Sequence, residues 1–118
     1  IIPKRGCARL DSLVIKASAG TFFRTTLFGC EQLAPALQQL SEKKVQICLM
    51  AADAPRTLFA HKPQGSVVYV LGNETEGVSA EIRKLPHTGL SIPMANGVES
   101  LNVAMTATLI AYCSSMQV

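Results

Sequence analysis

Carboxylate and amide side chains follow a short apolar segment, in a loop bounded by two glycines. The segment Val67–Val70 is rich in β-branched and aromatic residues, which favours a buried strand. The loop after it, Leu71–Gly77, contains Gly72, Asn73, Glu74 and Glu76. Acids in a tight loop of this kind suit a ligand with hydroxyls, an amine or a cationic centre. The alternative is a plain strand-to-helix turn whose acids are only solvated.

A second polar stretch lies at Ile92–Met105, after another short apolar segment. Pro93 ends strand pairing because proline has no N–H to donate, and Asn96-Gly97 forms a tight turn because both residues tolerate positive φ. Ser100 and Asn102 then stand in the first turn of an apolar helix. A buried amide at Asn102 requires partners, and a ligand would supply them. The alternative is that both side chains only satisfy backbone groups at the helix start.

Both stretches connect the carboxyl end of a strand to the amino end of a helix, where α/β proteins bind ligands. The sequence therefore predicts that the two loops form one site. The pattern Gly72-x4-Gly77-Val78-Ser79 superficially resembles a P-loop, but that motif needs a lysine where Val78 stands. Two neighbouring carboxylates would also repel a triphosphate, which excludes nucleoside triphosphates.

Composition indicates one globular domain spanning residues 1–118. Hydrophobic residues make up 48% and charged residues 16%, enough for a core and too little charge for disorder. We find no cleavable signal pattern and no run of roughly 20 apolar residues that could span a bilayer. The prediction is a protein of the cytoplasm or an organelle matrix, neither secreted nor bound to membrane.

Four cysteines and two histidines lack the spacing of a metal site, so no metal is expected. Cys48 and Cys113 lie in apolar runs and are predicted to be buried thiols. His61 stands in a proline-flanked connector and His87 follows Pro86, and both are predicted to be surface residues.

Positive charge is concentrated at the start of the chain. Residues 1–24 hold five basic residues against one acid, whereas the remainder holds six against seven. Such an end can contact phosphates of a nucleic acid, and the alternative is a solvated end. The candidate contacts are Arg5, Arg9, Lys16 and Arg24.

The elements that must position these residues alternate between strands and helices, which predicts a parallel α/β sheet with flanking helices. Strands are expected at 1–2, 45–51, 67–71 and 90–92, with extended structure at 22–28. Helices are expected at 13–19, 31–42, 79–85 and 99–116. The last helix has apolar residues on every face, which predicts burial on all sides, by the sheet and by a partner subunit.

These motifs resemble those of the SpoU (TrmH-like) RNA 2′-O-ribose methyltransferases of the SPOUT superfamily. Val70–Glu74 with Glu76–Ser79 is similar to the family's second motif, and Ile92–Met94 with Gly97–Ala104 is similar to its third. Lys16–Gly20 is similar to a stretch found earlier in the domain. The paired motifs, in order and at ordinary separation, make this resemblance specific.

The resemblance implies an α/β knot, in which the carboxyl end of the domain passes through a loop to form a deep trefoil knot. It implies transfer of a methyl group from S-adenosylmethionine to a ribose 2′-hydroxyl of rRNA or tRNA. It also implies a homodimer packed through the knotted region. Seven residues are expected to contact the cofactor: Leu71, Gly72, Asn73, Gly77, Ile92, Met94 and Leu101. Three are expected to organise the catalytic site: Glu74, Ser100 and Asn102.

One departure concerns the family's first motif, an Asn…Gly…Arg segment whose arginine is thought to help deprotonate the hydroxyl. This motif is not among the 118 residues. The chain is therefore expected to be the carboxyl-terminal part of the domain, without its first strand and helix, and its own activity is in doubt. Two alternatives remain: a knotted RNA-binding or scaffold protein without catalysis, and a related knotted enzyme that methylates a base.

Overall fold

The computed structural model describes residues 1–7 and 9–116 and divides the chain into two compact units, Ile1–Ala36 and Leu37–Val118. Every strand pair formed by these residues is parallel. The predicted α/β class with parallel sheets is confirmed.

The first unit contains a two-stranded parallel sheet and a short helix. Strand β1 (Ile2–Pro3) pairs with β2 (Gly29–Cys30). Helix α1 (Ser12–Ala17) begins after Asp11, whose carboxylate accepts hydrogen bonds from the N–H groups of Leu13 and Val14. This carboxylate satisfies donors that have no partner within the helix.

The prediction of extended structure at Phe22 and Phe23 is wrong, because a 3₁₀ helix occupies Thr21–Arg24. Gly20 has a φ of 83°, which reverses the chain after α1. The hydroxyl of Ser18 accepts from the N–H of Phe22 at 3.2 Å. Local capping therefore outweighs the extended preference of the aromatic residues.

The second unit contains a three-stranded parallel sheet with the order β4-β3-β5. Its strands are β3 (Gln46–Met50), β4 (Val67–Val70) and β5 (Thr88–Leu90). The central strand β3 is buried over Ile47–Leu49, which explains its nearly continuous apolar sequence. Cys48 and Leu90 in this sheet pack with Leu58 and Ile110 to form a core.

Three further α-helices lie within the described residues. Helix α2 (Leu33–Glu42) contains the boundary between the two units and buries Ala34 and Leu37, as its apolar periodicity predicts. Helix α3 (Ala80–Arg83) is a single turn that buries Ile82. Helix α4 (Val103–Ser115) begins four residues later than predicted. No helix among the described residues is long and apolar enough to cross a membrane.

Burial of α4 on all sides is not observed. Ile110 is its one buried residue within the described part of the chain, whereas Met105 and Tyr112 are 55% and 61% exposed and Met116, just after the helix, is 68% exposed. The uniform apolarity of α4 is therefore not explained by its own sheet.

Candidate functional site

A cavity of about 490 Å³ lies where the loops after β3, β4 and β5 meet the start of α4. Because the three strands are parallel, their carboxyl ends share one edge of the sheet. All ten residues predicted for the cofactor and catalytic site line this cavity: Leu71, Gly72, Asn73, Glu74, Gly77, Ile92, Met94, Ser100, Leu101 and Asn102. The two predicted loops thus do converge, although the roles of individual residues stay predictions.

A third loop, which was not predicted from the sequence, contributes to this cavity. Met50, the last residue of β3, and the three residues after it, Ala51, Ala52 and Asp53, line the cavity. Arg83, Glu99 and Thr106 line it as well. The rule that ligands bind at the carboxyl ends of parallel strands applies equally to β3. Applied to all three predicted strands, it would have identified this loop.

The loop after β4 is closed by its own backbone and by Asn73. The N–H of Asn73 donates to the carbonyl of Gly77 at 2.9 Å, and the N–H of Gly77 donates to the carbonyl of Asn73 at 2.8 Å. Oδ1 of Asn73 also accepts from the N–H of Thr75 at 2.7 Å. The Oδ1 of Asn73 therefore shapes the loop. The neighbouring Glu74 is exposed and lines the cavity.

Gly72 is required by the close approach of the two ends of this loop. A Cβ at Gly72 would lie 2.4 Å from the carbonyl carbon of Gly77 and 2.6 Å from the N of Val78. Gly77 itself has a φ of 70°, in the region that favours glycine. The two glycines that resemble a P-loop in sequence thus allow the turn to close on itself.

The loop after β5 turns at Asn96-Gly97, where φ is 57° and 74°, and this confirms the predicted turn. Beyond it, Asn102 is exposed and is the N-cap of α4. Its Oδ1 accepts from the N–H of Ala104 at 2.8 Å. The expectation of a buried amide within the first helical turn is therefore wrong, because α4 begins only at Val103.

The cavity has an apolar floor and a charged rim. Leu90 is fully buried beneath it, and Leu71 and Ile92 belong both to its lining and to the surroundings of the core. Three lining residues, Asp53, Glu74 and Glu99, carry carboxylates, against one guanidinium at Arg83. This charge distribution favours a ligand with cationic or hydroxyl groups over a polyanion.

His61 is buried, with 2% exposure, so its prediction as a surface residue is wrong. The 3₁₀ helix Leu58–Ala60 carries the connector back onto the sheet, where Nε2 of His61 lies 3.5 Å from Sγ of Cys48. Burial lowers the pKa of His61 below its usual 6.5, and the charge of Arg56 lowers it further. Neither His61 nor Cys48 lines the cavity.

Of the other predictions for cysteine and histidine, the burial of Cys48 and the exposure of His87 are confirmed, whereas the full burial of Cys113 is not observed. Cys48 is fully buried, and this burial raises its pKa to about 11, although the charge of Arg56 opposes the shift. Cys113 is half-buried and His87 is exposed. All four cysteines are free, and the described residues include no cluster of three or more metal-ligating side chains.

The four predicted RNA-contacting residues are exposed and lie in the first unit. They are Arg5, Arg9, Lys16 and Arg24. Nearby Lys4, also exposed, is paired with Glu31. The structure leaves the four available to a polyanion but does not test that role.

Comparison with known proteins gives consistent matches. The chain is 34% identical over 105 residues to the 23S rRNA (guanosine-2′-O-)-methyltransferase RlmB of Yersinia pestis, covering 89% of this chain and 43% of that protein. It is 32% identical over 110 residues to an uncharacterized tRNA/rRNA methyltransferase of Mycolicibacterium vanbaalenii, covering 93% of this chain and 35% of that protein. The chain thus spans less than half the length of these relatives.

Solved structures share the fold. An RNA 2′-O ribose methyltransferase matches with a TM-score of 0.81 and 25% identity, over 95% of this chain and 43% of that one. The SpoU methyltransferase AviRb from Streptomyces viridochromogenes, solved with AdoMet, matches with a TM-score of 0.85 and 22% identity, over 99% of this chain and 48% of that one. At this identity the AviRb match shows the fold alone.

The family model that matches is that of the SpoU rRNA methylases, over residues 1–112. The comparisons do not support the expectation that the chain is the carboxyl-terminal part of the domain. The match includes both motifs and the loops that form the cavity. The chain belongs to the SpoU rRNA methylase family.

Proposed function

We propose that this chain forms the cofactor-binding part of an enzyme that transfers a methyl group from S-adenosylmethionine to a ribose 2′-hydroxyl of rRNA or tRNA. The observation that carries the proposal is the convergence of all ten predicted cofactor and catalytic residues on one cavity. The naming of RlmB relatives as guanosine-2′-O-methyltransferases supports ribose rather than base as the target.

The cavity fits S-adenosylmethionine in charge and polarity. The cofactor has an amine, a sulfonium and ribose hydroxyls, which suit the carboxylates of Asp53, Glu74 and Glu99, and an adenine, which suits the apolar floor. The structural relative AviRb was solved with AdoMet. When bound, the cofactor supplies an electrophilic methyl group.

The chain's own residues position the reactants. The closed loop at Gly72–Gly77 and the segment Ile92–Leu101 present backbone groups and apolar side chains to the cofactor. Glu74, Ser100 and Asn102 organise the region where the ribose must lie. Orientation of this kind can account for a large part of a rate enhancement. By resemblance to the family, removal of the hydroxyl proton is assigned to the arginine of its first motif.

We further propose that RNA contacts the basic residues of the first unit, which are Arg5, Arg9, Lys16 and Arg24. Their exposure supports this, since they are free to release counterions from a phosphate backbone. The free cysteines support a reducing compartment, the cytoplasm or an organelle matrix.

A trefoil knot and a homodimer belong to the same proposal. The knot is supported by the match to the SpoU family model over residues 1–112, because the resemblance to that family implies a knot. The dimer is supported by the exposed apolar residues Met105 and Tyr112 of α4 and Met116 just after it. A second subunit would remove this surface from water, which is favourable in proportion to the apolar area.

The test combines binding and turnover. Calorimetry should show that the purified chain binds S-adenosylmethionine without added metal. Labelled methyl transfer to rRNA and tRNA, followed by alkaline hydrolysis, then identifies the product, because a 2′-O-methyl group blocks cleavage of the adjacent phosphodiester. Labelled, alkali-resistant dinucleotides support the proposal. Label in cleavable nucleotides indicates base methylation, and binding of cofactor and RNA without transfer by the whole protein indicates a scaffold.

A further inference from the structure

Arg83 is the single basic residue that lines the cavity within the described part of the chain. It is the last residue of α3 and lies outside both sequence motifs. Its surroundings in the cavity include the three carboxylates of Asp53, Glu74 and Glu99. Among the residues described, its guanidinium is therefore the one cationic group in this cavity that could pair with an anionic group of a ligand.

The guanidinium of Arg83 reaches back to the loop after β4. Its Nε donates to the carbonyl oxygen of Val78 at 3.0 Å, in a partly buried position. A Cβ placed on Gly77 would lie 3.6 Å from its Nη2. Arg83 therefore covers the end of the loop that Gly72 and Gly77 close, and one hydrogen bond fixes its orientation there.

Most of the donors of this side chain remain available. A guanidinium has five N–H groups, and the bond to Val78 uses the one on Nε. Among the described residues, Arg83 makes no other hydrogen bond or ion pair from its side chain. The planar pair of terminal nitrogens matches the two oxygens of an oxyanion.

We propose that Arg83 receives an oxyanion of the ligand while it holds the loop after β4. Resting on the proposed function, that oxyanion is the α-carboxylate at the amino-acid end of S-adenosylmethionine. A phosphate of the RNA backbone has similar chemistry. The carboxylate is favoured because three acids line the same cavity and would repel a polyanion.

Two ligands that differ in the amino-acid end separate these possibilities. S-adenosylhomocysteine has the α-carboxylate, and 5′-methylthioadenosine has the same nucleoside and a neutral sulfide but no amino acid. Calorimetry with both ligands compares the unaltered chain with Arg83→Met. Lys84→Met is the matched control, because Lys84 is an exposed neighbour that does not line the cavity.

Arg83→Met should lower the affinity for S-adenosylhomocysteine by about tenfold or more, the usual contribution of a hydrogen bond to a charged group. Affinity for 5′-methylthioadenosine should fall by a clearly smaller factor, since only the hold on the loop is lost for that ligand, and Lys84→Met should change the affinity for neither ligand. Arg83→Lys, which keeps the charge but cannot hold Val78 and the carboxylate together, should give an intermediate loss. This variant also provides the measurement if Arg83→Met proves unstable in a melting experiment.

Equal weakening of both ligands would overturn the proposal, because it would show that Arg83 only holds the loop. A loss of RNA affinity with unchanged S-adenosylhomocysteine binding would overturn it in favour of a phosphate. Failure of the unaltered, folded chain to bind either ligand would contradict the proposed function itself. The ratio of the two affinities thus distinguishes failure of this inference from failure of the proposed function.

Discussion

Asn102 shows how one side chain combines a structural and a proposed functional task. Its Oδ1 caps α4 through the N–H of Ala104, and the residue lies on the cavity. The capping bond uses the oxygen and leaves the amide N–H₂ group to face a ligand. Capping and ligand binding are therefore compatible at this position.

Asn102→Ala should impair cofactor binding or methyl transfer more than it lowers stability. Loss of the cap costs about 0.5–2 kcal/mol of folding free energy, while loss of the amide removes the proposed contact. Calorimetry and urea unfolding of the same sample measure the two effects. Asn102→Asp is the control, since its carboxylate preserves the cap but not the N–H₂ group. A large loss of stability with unchanged affinity would contradict the proposed functional role of Asn102.

Gly72→Ala should destabilise the chain and abolish cofactor binding. Its Cβ would lie 2.4 Å from the backbone of Gly77, which cannot move aside as a flexible side chain could. Overpacking of this kind costs about 1–3 kcal/mol. Gly29→Ala is the control, because nothing lies within 4 Å of a Cβ at Gly29. Normal binding and stability in Gly72→Ala would show that the loop can relax, and its closed form would then not be required.

At the scale of elements, the strands were predictable and the exposure of single residues was not. The apolar runs around β3, β4 and β5 identify buried parallel strands, and those strands determine where the cavity forms. His61 was misplaced because a proline-flanked connector looks solvent-exposed in sequence. Its burial results from the packing of Leu58–Ala60 against the sheet, which no local pattern encodes.

The start of α4 gives a similar lesson. Apolar periodicity indicates a helix somewhere in 99–116 but is insensitive to its first turn, and the actual start at Val103 makes Asn102 a cap. The residues that line the cavity in the two motifs were predictable from residue type and spacing, although their roles stay predictions. Their exposure was not, since it depends on where the helix begins.

Helix α4 should mediate self-association through its exposed apolar residues. Tyr112→Lys should shift a dimer toward monomer, because the dimer would then bury a charge in its interface. In the single chain Tyr112 is 61% exposed. Sedimentation velocity over a concentration series measures the change. Leu13→Lys is the control, since Leu13 is also a large, exposed hydrophobic residue, at 72%, but belongs to α1. If the unaltered chain is a monomer at all concentrations, or if Leu13→Lys has the same effect, the proposed dimer face is wrong.

At the scale of the whole molecule, charge separates the two proposed tasks. Residues 1–36 hold five basic residues against two acids, whereas residues 37–118 hold six of each. The cavity lies entirely within the second of these ranges. RNA binding and cofactor binding should therefore respond to different substitutions.

The double variant Arg9→Gln with Lys16→Gln should weaken RNA binding and leave cofactor affinity unchanged. Each lost phosphate contact should also reduce the slope of log affinity against log salt by about 0.7–0.9. Fluorescence titration of RNA at several salt concentrations measures both quantities. Lys43→Gln with Lys44→Gln, which makes the same charge change in the second unit, is the control. An unchanged slope in the first variant would show that these residues do not contact phosphate.

Stability should be greatest between about pH 6.5 and 9 if the buried pair His61 and Cys48 governs its pH dependence. The pKa of His61 is lowered below 6.5 in the folded state, so the unfolded chain binds the proton more readily. The contribution of His61 to the free energy of unfolding is therefore fully present above pH 6.5 and is lost as the pH falls toward the pKa of the folded state. The pKa of Cys48 is raised from 9.0 to about 11, so the folded chain retains the proton longer. Stability therefore declines as the pH rises through that interval.

Urea unfolding from pH 5 to 10 measures this profile. His61→Asn should lower stability at pH 8, because it disturbs packing against Cys48 and Tyr69, and should flatten the decline below pH 6.5. His87→Asn should leave the profile unchanged, because His87 is exposed. Since carboxylates also titrate at acid pH, the difference between variants carries the result rather than any single curve. If the free energy of unfolding of His61→Asn still declines below pH 6.5 as in the unaltered chain, the carboxylates cause the decline and His61 does not contribute.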